Sequence, residues 1–157
     1  MTFRWRAGRA VIDRLLKEGR LERVPPNREL AEEYLKQSVA HLATSRLAAG
    51  TDPVGEFQLA YDAARKALAA ILVNQGLRPT SKGGHVVIER AALAQLGESL
   101  RDVVKPFSWM RPLRNDSEYP SVDRPVAAAD DAVEGRRAAQ AIVDAAVGLL
   151  DEMGPYE

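Results

Sequence analysis

At 157 residues, 46% hydrophobic and 28% charged, the chain is long enough for one globular domain with a sizeable core. Its 22 Lys and Arg balance 22 Asp and Glu, so no net field draws it to nucleic acid or to a membrane surface. The lack of cysteine removes disulfides, thiol chemistry and Cys-based zinc sites and suits a reducing cytoplasm; the two histidines, His41 and His85, are too few for a three-histidine metal centre.

Residues 1–24 read as a short N-terminal helix or arm and 25–157 as a helical bundle domain. Val11, Ile12, Leu15 and Leu16 predict a first helix ending near Gly19. The 1–24 stretch is basic, seven basic groups against three acidic, and 130–157 is acidic, seven against two. This asymmetry fits either a basic face for an anionic partner or two ends that pair with each other or sit in solvent. The Arg-rich start is too poor in Ser and in apolar residues for a signal or transit peptide, and no apolar run approaches the ~20 residues of a membrane span.

Pro25-Pro26 breaks the chain and Asn27 caps a second helix running to about Ala49, with Leu30, Tyr34, Leu35 and Leu42 near one face. Asp52 and Pro53 open the clearest helix. Phe57, Tyr61, Ala64, Leu68 and Ile71 form a stripe at helical period, and Ala60, Ala63, Ala67 and Ala70 beside it allow close approach of a neighbour. Gly76 ends this helix. Residues 77–84 read as a loop and His85 to Leu96 as a helix stopped by Gly97. The 99–119 stretch is helical in pattern but interrupted by Pro106 and Pro112, with Ser108 able to cap a restart and Pro120 ending it. A last helix runs from Ala129 to Met153, with Ala139, Ile142, Ala146, Leu149 and Met153 in register and Asp130 and Asp131 at its positive end. Val86-Val87-Ile88 is the one β-branched run and is too short to carry a sheet. The expectation is an all-α, up-down antiparallel bundle of four to five helices.

The densest polar stretch is Arg111 to Pro120. On a helix Arg111, Arg114, Asn115 and Glu118 share a face, with Tyr119 four residues after Asn115. Two guanidiniums on one face suit a phosphate, whose oxygens they bond in pairs. Each residue also has a plainer reading. Arg114 would pair with Asp116 or Glu118, Arg111 would be a solvated helix residue, and Asn115 would bond backbone at a helix end. Tyr119 would be half-buried with its hydroxyl tied to a neighbour. Asp116 and Glu118, two apart, diverge and do not form an acid–base pair. His85 follows Gly83-Gly84, a loop that either offers amides to an anion or simply starts a helix. His41 reads as a packing residue, and Trp5 and Trp109 are too far apart for a base-stacking platform.

The Ala-rich helix with Tyr61-Asp62-Ala63-Ala64-Arg65-Lys66-Ala67-Leu68, the Gly84-His85 loop and the later helix with Arg114-Asn115 together resemble the HEPN domains of prokaryotic toxin–antitoxin and defence systems, over about residues 27–153. The resemblance implies a two-fold homodimer and metal-independent RNA cleavage, with no cofactor and no metal, by attack of a ribose 2′-hydroxyl on the adjacent phosphate. In active members an arginine, often followed by asparagine, is joined by a histidine four to six residues on. The arginine stabilises transition-state charge and the histidine moves the proton. This chain departs from that pattern: five residues after Arg114 stands Tyr119, and a phenol with a pKa near ~10 is a poor base.

The candidate catalytic residues are therefore Arg114, Asn115 and Tyr119. Arg111 and His85 are candidate substrate contacts, and His85 is a source of the missing histidine from another helix. Two further readings stand beside an RNA-binding or RNA-cleaving homodimer. One is a non-catalytic module working with a nucleotidyltransferase that modifies Tyr119. The other is a purely structural bundle.

Overall fold

The computed structural model describes residues 6–157; Arg4 and Trp5 lie outside them. The described residues form helices α1 (Arg9–Lys17), α2 (Arg28–Leu47), α3 (Pro53–Gln75), α4 (Gly84–Leu96), α5 (Arg101–Val104), α6 (Phe107–Glu118) and α7 (Ala129–Leu149), and strands β1 (Leu21–Arg23) and β2 (Leu77–Pro79). The all-α expectation holds. Residues 25–157 hold six helices against the expected four to five, because the 99–119 stretch divides into the single turn of α5 and the longer α6.

The punctuation acts as the sequence suggests. The side chains of Asn27 and Asp52 accept the amides of Leu30 and Gly55, each at 2.9 Å, starting α2 and α3. Gly76 ends α3 at φ 86°, a left-handed geometry that glycine adopts without strain. Asp131 accepts the Ala128 amide at 2.9 Å at the start of α7. Ser108 does not cap α6: the helix starts at Phe107 after Pro106, and the Ser108 hydroxyl is drawn to Glu89 instead.

α3 is the central helix. Phe57, Tyr61, Ala64, Leu68 and Ile71 are all buried, as are Ala60, Ala63, Ala67 and Ala70. α2 presents Ala31, Leu35, Ser38, Leu42 and Ser45 to it, while Leu30, expected on that face, is 40% exposed. The α2 spacing alternates four and three, and Ala31, Ser38 and Ser45 on the seam are small, so the two backbones approach closely. The buried serines satisfy their hydroxyls across it: Ser38 donates to the Ala63 carbonyl at 2.9 Å and Ser45 to the Glu56 carbonyl at 2.9 Å. These contacts run α2 antiparallel to α3. On the other flank Gly135 of α7 lies against Phe57, and the buried Glu56 carboxylate pairs with Arg136.

A two-stranded antiparallel sheet stands where no strand was expected. Leu21 pairs with Pro79, Glu22 with Arg78 and Arg23 with Leu77, and an Arg78–Glu22 ion pair at 2.6 Å crosses it. Residues 77–79 are therefore strand rather than loop. β2 and the turn that follows it at 80–83 carry the chain back along α3, so that α4 starts beside Tyr61 and ends beside Gln75. α4 thus runs in the same direction as α3.

Ile12, Leu15 and Leu21 are buried in the same core as α3. The C-terminal tail closes over this end. Tyr156 is buried, its hydroxyl donates to Asp13 at 2.7 Å, its amide donates to the Gln75 carbonyl at 2.8 Å, and the Arg9 and Arg23 guanidiniums face its ring. Arg9 also donates to the Glu157 carbonyl at 2.8 Å, and Arg28 pairs with Asp151 at 2.8 Å. The N- and C-terminal segments thus meet at this end of the bundle, Arg9 and Arg23 donating to backbone carbonyls of the tail.

Candidate functional site

The core stripe of α3 carries one polar atom that must be satisfied, the Tyr61 hydroxyl. The Tyr61 ring is fully buried and stacks on Phe107 of α6, centroids 5.0 Å apart and planes within 8°. Its hydroxyl lies 2.8 Å from Nδ1 of His85, in the first turn of α4. A buried phenol needs such a partner.

The loop before α4 makes this contact possible. A Cβ on Gly83 would come within 2.5 Å of the Arg20 carbonyl oxygen and 2.6 Å of Val87, so only glycine fits there. Gly84 adopts φ 55°. The Gly83 and Gly84 amides both donate to the Thr80 carbonyl, at 3.0 and 3.2 Å, so these two amides serve the turn rather than an anion.

Glu89, one turn along α4 from His85, fastens α6. It accepts from the Ser108 hydroxyl at 2.9 Å and from Arg111 Nε at 3.2 Å. Three residues beyond Arg111, the Arg114 guanidinium stands 5.8 Å from the Tyr61 ring centroid, within reach of a cation–π attraction. Arg65, four residues after Tyr61 on α3, completes the cluster. It pairs with Asp62 at 3.5 Å, and its Nε is buried with no hydrogen-bond partner among the described residues.

The electrostatics follow from burial among cations. His85 is held below the ordinary histidine value of 6.5, first by burial, then by Arg65 and Arg114; Asp62 opposes this and Arg111 adds to it. Burial pushes the Tyr61 phenol up to about 12, outweighing Arg114, Arg65 and Arg111, which lower it. The imidazole is therefore neutral at neutral pH and Tyr61 keeps its proton. With Nδ1 committed to Tyr61, Nε2 is the nitrogen left for a ligand. When Nδ1–H donates to the phenol oxygen, Nε2 carries the lone pair of a base.

The residues singled out from the sequence therefore separate. Arg114 and His85, on different helices, are brought to the same tyrosine. Arg111 sits at the edge, bound to Glu89. Asn115 is exposed and its Oδ1 accepts from Arg114 at 3.4 Å. Glu118 lies 4.0 Å from Arg114, while Asp116 pairs with Arg124 at 3.3 Å rather than with Arg114. Tyr119 ends α6 and is 75% exposed, not half-buried against a neighbour. Tyr61, Asp62 and Arg65 were given no site role from the sequence. The available signals were a hydroxyl within a core stripe and an Asp-x-x-Arg pair on the same helix face. His41, read as a packing residue, is instead bonded to Lys66 of α3.

Among the described residues no group of three or more His, Cys, Asp or Glu is placed to hold a metal, and no helix is long and apolar enough to cross a membrane. Neither the curated proteins nor the solved structures give a significant match. The family model for the HEPN domain matches residues 29–151, most of the length and all of the site just described. The chain belongs to the HEPN domain family.

Proposed function

We propose that this protein is an RNA-binding homodimer of the cytoplasm that cleaves RNA without a metal, with His85 supplying from α4 the proton transfer that no histidine near Arg114 provides. The observation that carries this reading is the Tyr61–His85 pair at 2.8 Å, flanked by Arg114 and Arg65. Arg114 and Arg65 bind the scissile phosphate, and Asn115 steadies Arg114. His85 Nε2 takes the proton of the ribose 2′-hydroxyl as its oxygen attacks phosphorus. The P–O5′ bond breaks, the departing 5′-oxygen takes a proton from water, and His85 gives its proton back to solvent. The products are a 2′,3′-cyclic phosphate and a 5′-hydroxyl end.

The test is RNA incubated with purified protein in a metal chelator. Arg114→Ala should lower the rate by about 10²–10³-fold through lost transition-state charge stabilisation. His85→Gln should lower it by about 10²–10⁴-fold through lost proton transfer. Undetectable cleavage by wild type and both variants alike would overturn the nuclease reading, and a monomeric mass in solution would overturn the dimer.

One observation favours a second reading. Tyr119, exposed at the end of α6, is open to an enzyme partner. A nucleotidyltransferase would transfer a nucleotidyl group from a nucleoside triphosphate to the Tyr119 oxygen, releasing pyrophosphate. A mass increase on co-expression with such a partner, lost in Tyr119→Phe, would support this reading.

A further inference from the structure

On the α2 side of α3 lies a second polar cluster. Lys66 Nζ is 2.8 Å from Gln37 Oε1 and 2.8 Å from His41 Nε2. Gln37 and His41 are four apart on α2 and so share a face. Gln37 is fixed in orientation because its Nε2 donates to Glu33 at 3.1 Å, turning Oε1 toward the lysine.

The chemistry of this cluster is unbalanced. An ammonium has three donors, and two of them go to an amide oxygen and an imidazole nitrogen. Both acceptors are neutral, since an imidazole that accepts from Lys66 cannot also be protonated at Nε2. Burial and Lys66 both hold His41 below 6.5, with Arg65 adding to this and Asp62 opposing. Among the described residues no carboxylate comes within ion-pair distance of Lys66. A half-buried ammonium whose fixed partners carry no charge lacks its counter-ion. Its third proton and the Nδ1–H of His41 are the donors left for one.

Asp62 and Arg65 act on both histidines. Tyr61 and Lys66 stand five residues apart on α3, with Asp62 and Arg65 between them, the first bonded to His85 of α4 and the second to His41 of α2.

We propose that Lys66 and His41 form a second phosphate subsite, continuous across the Arg65 turn of α3 with the His85–Arg114 site, so that a single-stranded RNA is gripped at two phosphates. This inference rests on the RNA reading above and deepens it.

The chain has two histidines, so its imidazole ring protons give two resolvable sets of NMR signals, assigned with His41→Gln and His85→Gln. The probes are inorganic phosphate and a short 2′-deoxy oligonucleotide, which binds but cannot be cleaved by a 2′-hydroxyl attack. In wild type both histidines should shift. In Lys66→Met the His41 response should vanish while that of His85 remains. The same variant should flatten the slope of log affinity against log salt by about 0.7, the share of one phosphate on a single strand. Lys66→Arg, which keeps the charge, should retain the slope.

A shifting His85 with a silent His41, or an unchanged slope in Lys66→Met, would overturn the subsite and leave the nuclease reading standing. A response at His41 alone would overturn the nuclease site and the two-phosphate grip together. Silence at both would overturn RNA binding on this face.

Discussion

The Tyr61 hydroxyl and Nδ1 of His85 lie 2.8 Å apart, joining the middle of α3 to the first turn of α4. The bond fixes the imidazole through Nδ1 and leaves Nε2 outside it. Tyr61→Phe keeps the ring stacked on Phe107 and removes only this bond. The expected stability cost is about 1 kcal/mol, the net value of one buried hydrogen bond. The rate cost is larger, up to about 10²-fold, because a loosened base is misplaced against the 2′-hydroxyl. Urea titration and single-turnover cleavage measure the two separately. A rate unchanged in a folded Tyr61→Phe variant would remove the orienting role.

Both histidines have folded-state pKa values below the ordinary 6.5. His85 faces Tyr61, Arg65, Arg114, Arg111 and Asp62; His41 faces Lys66, Arg65 and Asp62. The fold therefore favours their neutral forms. Below 6.5 the unfolded chain binds more protons than the native one, so stability rises with pH across that window. The contribution is fully present above 6.5 and is lost as pH falls toward the folded values. Unfolding midpoints measured on the acid side should drop in wild type and drop less in His41→Gln and His85→Gln. The acid limb of kcat/KM should likewise lie below 6.5 and follow His85. A limb above 6.5 would contradict a neutral-histidine base.

Much of the bundle was legible because helix signals are local. Asn27, Asp52-Pro53 and Gly76 mark ends by chemistry confined to one turn, and the Phe57-to-Ile71 stripe repeats at the period of a single helix. The α2 face was misread at Leu30 because its buried seam is built from Ala31, Ser38 and Ser45, whose small side chains carry little hydrophobic signal. The β1–β2 pair joins residues 54 to 58 apart in sequence, three on each strand, too short for alternation to show. The site was half legible for the same reason. Arg114 and Asn115 stand on one helix and could be read from spacing. The approach of Arg114 and His85 to the same tyrosine depends on β2 and the turn after it, on the Gly83–Arg20 close approach and on the Glu89 clamp, none of which has a period.

Gly135 sits where α7 crosses the Phe57 ring. A Cβ there would lie 2.8 and 2.9 Å from Cε2 and Cδ2 of Phe57. The ring cannot easily yield, being fully buried and packed on Trp109 at 5.8 Å. Gly135→Ala should cost about 1–3 kcal/mol through overpacking, offset by ~1 kcal/mol of helix propensity. Gly148, on the same helix, has open space around it. Gly148→Ala should gain about 0.5–1 kcal/mol by propensity alone. Thermal midpoints should rank Gly148→Ala above wild type and wild type above Gly135→Ala. Equal gains at both positions would show that the crossing tolerates a methyl group.

Gln75 and Gln95 are 1% and 2% exposed and exchange two amide hydrogen bonds, at 2.9 and 2.8 Å, between the end of α3 and the last turn of α4. Each is the other's partner, and Gln75 also donates to the Ile71 carbonyl at 3.2 Å. Gln75→Leu is close to isosteric but leaves the Gln95 amide buried and unpaired, at a cost of about 1–3 kcal/mol. Gln95→Leu should cost a similar amount by stranding Gln75. The double variant removes both polar groups at once, so it should be more stable than either single one, with a coupling energy of about 0.5–3 kcal/mol. The pair anchors the far end of the helix whose first turn holds His85. Cleavage should accordingly fall in the single variants and recover in the double one. Additive losses in urea denaturation would mean that the two amides do not depend on each other.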